Sequence, residues 1–208
     1  IEAGQIKNAI ISSSSHNNGA EKQFRNPVEY GAPKHKTATF TATGSASLLL
    51  TNEKTNIKIE SSTIGKIIDL GQTDVNHMGA VMAPAAADTI YRHLVDLKRE
   101  PNYYDLILTG DLGVYGKEIL IKYMKKKYGI DLGKNYNDCG TMLYNVDIQP
   151  VFAGGSGPVC SALVNFGYVL KLMKTGKIKK VLIVPTGAIF SPTWTFQKET
   201  IPAIAHAV

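Results

Sequence analysis

The apolar positions of this chain follow two rhythms, and the places where one gives way to the other mark its elements. After the Gly-rich stretch Ala153-Gly154-Gly155-Ser156-Gly157-Pro158, the residues Leu163, Phe166, Leu170 and Met173 recur at helical spacing. Pro158 suits the first helical position, where a missing N–H costs nothing, and Gly176 stops the helix. Val181-Leu182-Ile183-Val184, a short apolar run between Lys180 and Pro185, then reads as a strand covered on both faces.

The same junction occurs at the start of the chain. Gly4, Ile6-Lys7 and Ala9-Ile10-Ile11 lie 172 residues before Gly176, Ile178-Lys179 and Val181-Leu182-Ile183. The helix-stopping Gly, the Ile-Lys pair and the apolar run all coincide. This predicts an internal duplication in which Ile6 to Ile11 and Val181 to Val184 are equivalent central strands. It also predicts that the chain opens mid-structure, with the helix that Gly4 caps lying upstream.

Between these ends, Ser12 to Gly19 reads as a turn, and from Asn17 to about Thr43 neither period holds, so a long functional or disordered loop is expected. Ser45 to Thr51 and Ile57 to Ile64 read as paired strands around Asn52-Glu53-Lys54. Ala87, Ile90, Leu94 and Leu97 place a helix from Pro84 to about Lys98. Asp105 to Thr109 follows as a buried strand, Gly110 to Gly113 as a turn, and Lys117 to Tyr128 as a lysine-rich helix stopped by Gly129. Asn137 to Gly140 is a further turn. This order predicts an α/β fold with helices layered on a mixed sheet and ligand-bearing turns at the C-terminal ends of strands. The closing apolar run to Val208 reads as a last strand cut short.

Composition narrows function more than fold. The 208 residues are 44% hydrophobic, enough for a sizeable core, and no run approaches a membrane span. Cys139 and Cys160 do not make a disulfide framework and are expected to be reduced. The net charge of +6 and pI near 9.2 admit an anionic ligand or a membrane surface. Much of that charge sits on one helix, at Lys122, Lys125, Lys126 and Lys127, which reads as a solvated face. No zinc-finger, helix-turn-helix or RNP pattern accompanies it, which argues against nucleic acid. The histidines, His16, His35, His77, His93 and His206, lack metal-ligand spacing. No cofactor is implied.

Four stretches carry a resemblance that covers the whole chain. Met82 to Ile90, Tyr104 to Leu112, Phe152 to Gly157 and Gln197 to His206 resemble the stage V sporulation protein AD family. That resemblance implies a thiolase-like fold of two similar halves, related to the ketoacyl synthase III condensing enzymes. Residues 1–77 would then be the remainder of the first half, and 78–208 most of the second. Condensing enzymes of this fold use a thiolate, a His and an Asn to carry the acyl group and stabilise an oxyanion. At the position of the His this sequence has Thr109-Gly110-Asp111, and at that of the Asn it has Gly154-Gly155.

The resemblance therefore implies a non-catalytic binding protein for dipicolinic acid, pyridine-2,6-dicarboxylate, alone or as its calcium chelate, in uptake into the developing spore. It also implies other stage V sporulation A proteins as partners, peripheral association with the spore inner membrane through them, and a homodimer. The alternative is an acyl-CoA or acyl-carrier condensing or acyltransfer enzyme. The site is placed at Gly154, Gly155, Ser156, Gly157, Gly110, Asp111, His16 and Arg25. Free N–H groups at the Gly-rich turn would receive a carboxylate, and the Arg25 guanidinium would pair one. On that reading Gly155→Asp abolishes binding. Bland readings stand beside these: the Gly-rich turn lets a helix pack closely on a strand, Cys160 is a small core residue, and Asp111 caps the turn beyond its strand.

Overall fold

The computed structural model of the protein describes residues 1, 3–24, 34–189 and 191–208. Ile10 and Ile11 lead into a strand, β1 (Asn8–Ser15), which runs on through the serines expected to turn. Those serines stay extended because their hydroxyls find partners: Ser12 and Ser47 Oγ lie 2.8 Å apart, Ser13 donates to the Pro158 carbonyl and Ser15 to that of Ala42. The next segment is not wholly irregular either. Asn17–Phe24 forms α1, with the Asn17 N–H held by Thr43 Oγ1 and its side chain by the Thr41 carbonyl. Arg25 lies outside the described residues.

After β2 (Phe40–Thr41) comes β3 (Gly44–Thr51), which pairs antiparallel with β1 along its whole length. Its expected partner, Ile57 to Ile64, forms no strand, and β1 pairs with β3 in its place; Thr63 makes a single bridge to Ala207. Helix α2 (Met78–Asp96) begins six residues before Pro84 because His77 Nδ1 accepts the Ala80 N–H as an N-cap. Then follow β4 (Leu106–Thr109) and α3 (Gly113–Tyr123), the latter continued by a π-helical turn, Met124–Tyr128, and closed by Gly129 at φ 69°.

Asn137 to Gly140 is a strand end rather than a turn. β5 (Tyr136–Asp138) runs into α4 (Cys139–Leu143), whose Gly140 N–H is capped by Asp138. The Gly-rich stretch contributes β6 (Gly155–Ser156), parallel to β2. α5 (Cys160–Ala162), a π-helical stretch (Leu163–Val169) and α6 (Leu170–Lys174) then form one continuous helix, closed by Gly176 at φ 71°. The wider π turn changes which side is buried. Val164 and Val169, five apart, are in the core, while Leu163, Phe166, Leu170 and Met173 of the expected stripe are only half-buried. β7 (Val181–Val184), β8 (Thr186–Ala188), α7 (Pro192–Phe196) and β9 (Ala203–Ala205) complete the chain.

β4 is flanked in parallel by β5 and β7. On one face Val81, Ala86 and Ile90 of α2 share a core with Ile107 and Leu182; on the other, Val159, Cys160 and Val164 share one with Leu108. Each fully buried Leu or Ile contributes about 1.5–3 kcal/mol. The repeat has a counterpart in register. Ile183 and Val208 exchange both backbone hydrogen bonds, at 2.7 and 2.9 Å, and Thr186 pairs with Ala205. These are the pairs Ile11↔Leu48 and Ser14↔Ser45 moved by 172 residues on the first strand (11 to 183) and 160 on the second (48 to 208). Gly4 and Gly176 share the left-handed conformation, with φ 73° and 71°. β7 also pairs with β4, whereas β1 has no second neighbour among the described residues, so a central position for β1 is not seen.

Candidate functional site

Parallel strands with helices returning antiparallel bring strand C-termini and helix N-termini to one edge. Here that edge holds the ends of β4 and β7 and the starts of α2 and α5. The turn after β4 carries Asp111, whose Oδ2 accepts the Gly157 N–H at 3.1 Å and whose Oδ1 accepts the Thr186 hydroxyl at 3.1 Å. The Thr39 hydroxyl donates to Ser156 Oγ at 2.8 Å. Between these groups lies a cavity of about 480 Å³.

Its polar lining is mostly hydroxyl: Thr39, Thr41, Ser156, Ser161 and Thr186, with Asn76. Ala38, Val75, Met78 and Met82 supply apolar wall. Asp111 is the one charged side chain that lines it among the described residues.

The turn that bears Asp111 is anchored from beneath by Asp138, which is fully buried. Its carboxylate accepts four bonds, from Thr109 Oγ1 at 2.7 Å, Leu112 N at 2.9 Å, and Gly113 N and Gly140 N at 3.0 Å. Burial raises the pKa of this carboxyl, and the four donors oppose that rise.

The residues singled out from the sequence divide. Gly110, Asp111, Ser156 and Gly157 line the cavity together. Gly154 and Gly155 do not; they are buried against α4. A Cβ on Gly154, at φ 118°, would lie 2.7 Å from the Gly140 carbonyl oxygen, and one on Gly155 would lie 3.0 Å from the Tyr144 ring. For these two glycines close packing is the role the structure gives. The turn also lacks the free N–H groups expected of it at two positions, since Gly154 N donates to the Val151 carbonyl and Gly157 N to Asp111. His16 is exposed and outside the lining, although Ala20 of α1 is part of it.

Sequence reasoning missed Thr39, Thr41 and Thr186. Thr186 follows the apolar run of β7 as Asp111 follows that of β4, so the rule that flagged one could have flagged the other. Both thiols are buried. Burial, and then the carboxylates of Asp138 and Asp111, push those of Cys139 and Cys160 respectively far above their ordinary range, which makes them inert core residues.

A parallel sheet layered between helices, with an antiparallel pair that recurs in register, defines a thiolase-like fold. The structure of 3-oxoacyl-(acyl carrier protein) synthase III, FabH, from Pseudomonas aeruginosa PAO1 shares it at a TM-score of 0.51 and 8% identity, covering 99% of this chain and 60% of that one. OleA from Xanthomonas campestris, solved as a single-residue variant bound with cerulenin, does so at 0.50 and 15% identity, covering 100% and 56%. These likenesses are of fold alone. The chain belongs to the stage V sporulation protein AD (SpoVAD) family, whose model matches residues 1–208. It is 50% identical over all 208 residues to Stage V sporulation protein AD of Bacillus subtilis (strain 168), and spans 61% of that protein's length.

Proposed function

We propose that the cavity binds dipicolinic acid, as a non-catalytic step in its uptake into the developing spore, in company with other stage V sporulation A proteins at the inner membrane and with the protein as a homodimer. The observation that carries this reading is a hydroxyl-lined cavity of about 480 Å³, a size suited to one small planar ring, in a chain of this family. Among the described side chains the charge lining the cavity is that of Asp111, and it bears on the form of the ligand. A free dianion near that carboxylate meets like charge, worth roughly 4 kcal/mol for two unit charges about 4 Å apart at an effective dielectric of about 20. The calcium chelate is neutral, and its cation is attracted to the same group. No cluster of three or more His, Cys, Asp or Glu that could hold a metal exists among the described residues, so calcium arrives with the ligand as cargo.

The fold's enzymatic relatives suggest acyl transfer instead, and two positions speak against it. A side chain at Gly110 would start 3.0 Å from the Thr186 nitrogen, and one at Gly155 would start against Tyr144. A His or Asn at either place requires its neighbours to give way. Titration calorimetry of dipicolinate into the full-length protein, with and without calcium, tests the proposal. Binding that strengthens with calcium supports it, and no heat in either condition overturns it.

A further inference from the structure

We infer that the edge of the molecule opposite the cavity docks on an anionic lipid surface. The topology assembles that edge: α2, α3 with its π turn, and α6 all end where β4, β5 and β7 begin. The helix ends bring Lys98 and Arg99, then Lys125 to Lys127, then Lys171 and Lys174. The strand entries add Lys134 before β5 and Lys177, Lys179 and Lys180 before β7. Contacts tie these pieces into one surface. Asn135 donates to the Pro101 carbonyl at 2.9 Å, and Arg99 and Lys180 both lie over the Tyr103 ring, at 4.2 and 3.7 Å.

Charge is partitioned accordingly. Eleven Lys and Arg side chains meet five carboxylates there, Glu60, Asp96, Glu100, Asp105 and Asp131, whereas the rest of the chain has twelve of each, so this edge carries the whole net charge of +6. Three of the five are engaged locally, Glu60 with Arg99 at 3.3 Å, Asp105 with the Lys179 and Lys180 N–H groups, and Asp131 with the Gly133 N–H at 2.9 Å. Lys125, Lys126, Lys134, Lys174 and Lys177 are exposed, and no ion pair holds them among the described residues.

The chemistry of the edge selects its partner. Ten of the eleven cations are lysines, compact point charges without the planar fork that grips one phosphate or carboxylate in a fixed geometry. They are spread along the edge of a sheet, and the described cavity lies at the other end. A diffuse layer of lipid phosphates matches such a surface, and each lysine near it strengthens binding by about fivefold. Docking in this way points the cavity away from the bilayer, and the inference is independent of what the cavity binds.

Co-sedimentation of the full-length protein with phosphatidylcholine vesicles, with and without phosphatidylglycerol, tests this. Binding should require phosphatidylglycerol and be lost at about 1 M salt, where the screening length is about 3 Å. The triple variant Lys126→Glu, Lys174→Glu, Lys177→Glu should bind about a hundredfold more weakly. Lys36→Glu, Lys66→Glu, Lys198→Glu changes net charge equally but away from this edge, and should retain binding. No association with anionic vesicles, or equal losses in the two variants, overturns the proposal. So does tighter binding to polyglutamate than to vesicles at the same salt, which would assign the edge to an acidic protein.

Discussion

Asp111 accepts the backbone N–H of Gly157 at 3.1 Å, across 46 residues of chain. The bond joins the turn after β4 to the turn before α5, and it occupies a donor that a helix start would otherwise offer to an anion. Among the described residues, the polar side chains that line the cavity are hydroxyls, Asn76 and the Asp111 carboxylate. Asp111→Asn keeps an acceptor for Gly157 and removes the charge. Titration should show free dipicolinate binding more tightly and its calcium chelate more weakly than in the wild type, with stability lowered by no more than about 1.5 kcal/mol. Equal changes for both forms would show that Asp111 does not face the ligand's charge.

Asp138→Ala leaves Thr109 Oγ1 and three backbone N–H groups without their buried acceptor. Denaturant unfolding should show a loss of several kcal/mol, at about 1–3 kcal/mol for each buried donor left unsatisfied. A loss under about 1 kcal/mol would mean that water replaces the carboxylate.

His93 sets the response to acid. It is fully buried, with Nδ1 2.8 Å from Thr63 Oγ1 and Nε2 2.6 Å from the Tyr104 hydroxyl, which also accepts from Arg99. Burial, and then the Arg99 charge, lower its pKa. The folded protein thus takes up a proton less readily than the unfolded chain. Stability should be full above about pH 6.5 and fall as pH drops below it, by up to about 1.4 kcal/mol per pH unit until the folded form is protonated. Asp105, whose pKa the Lys179 and Lys180 N–H groups lower, adds its loss only at more acid pH. His93→Gln should flatten the slope just below pH 6.5 in denaturant titrations, and an unchanged slope would assign it to another group.

On the proposed non-catalytic reading, in which Thr109-Gly110-Asp111 and Gly154-Gly155 stand where the resemblance implies a catalytic His and Asn, full-length protein should not condense or thiolyse acyl-CoA. Turnover above background would restore the enzymatic reading.

The Gly-rich turn marks where sequence reasoning reached its limit. Apolar runs located β4 and β7, and so the cavity edge, because a buried strand needs contiguous apolar residues. They could not say that Gly154 and Gly155 serve backbone packing, since the partner, α4, meets them only in three dimensions. Gly155→Asp consequently tests packing against Tyr144 rather than a ligand. The strand through Ser12 to Ser15 was illegible because serine favours turns locally, and what holds it extended here, the ladder with β3 and the Pro158 and Ala42 carbonyls, is distant in sequence. The helix stripe from Leu163 was displaced for a similar reason: a π turn is a product of packing, not of local spacing.

Gly187 offers the most direct test of the cavity. Its backbone lines the space, and a Cβ there would meet nothing within 4 Å, so a bulky side chain can be placed at the cavity wall without moving backbone. Calorimetric titration of calcium dipicolinate into Gly187→Phe should give no binding heat, while thermal unfolding stays within a few degrees of wild type. Wild-type affinity in that variant would contradict binding in this cavity and place the ligand elsewhere.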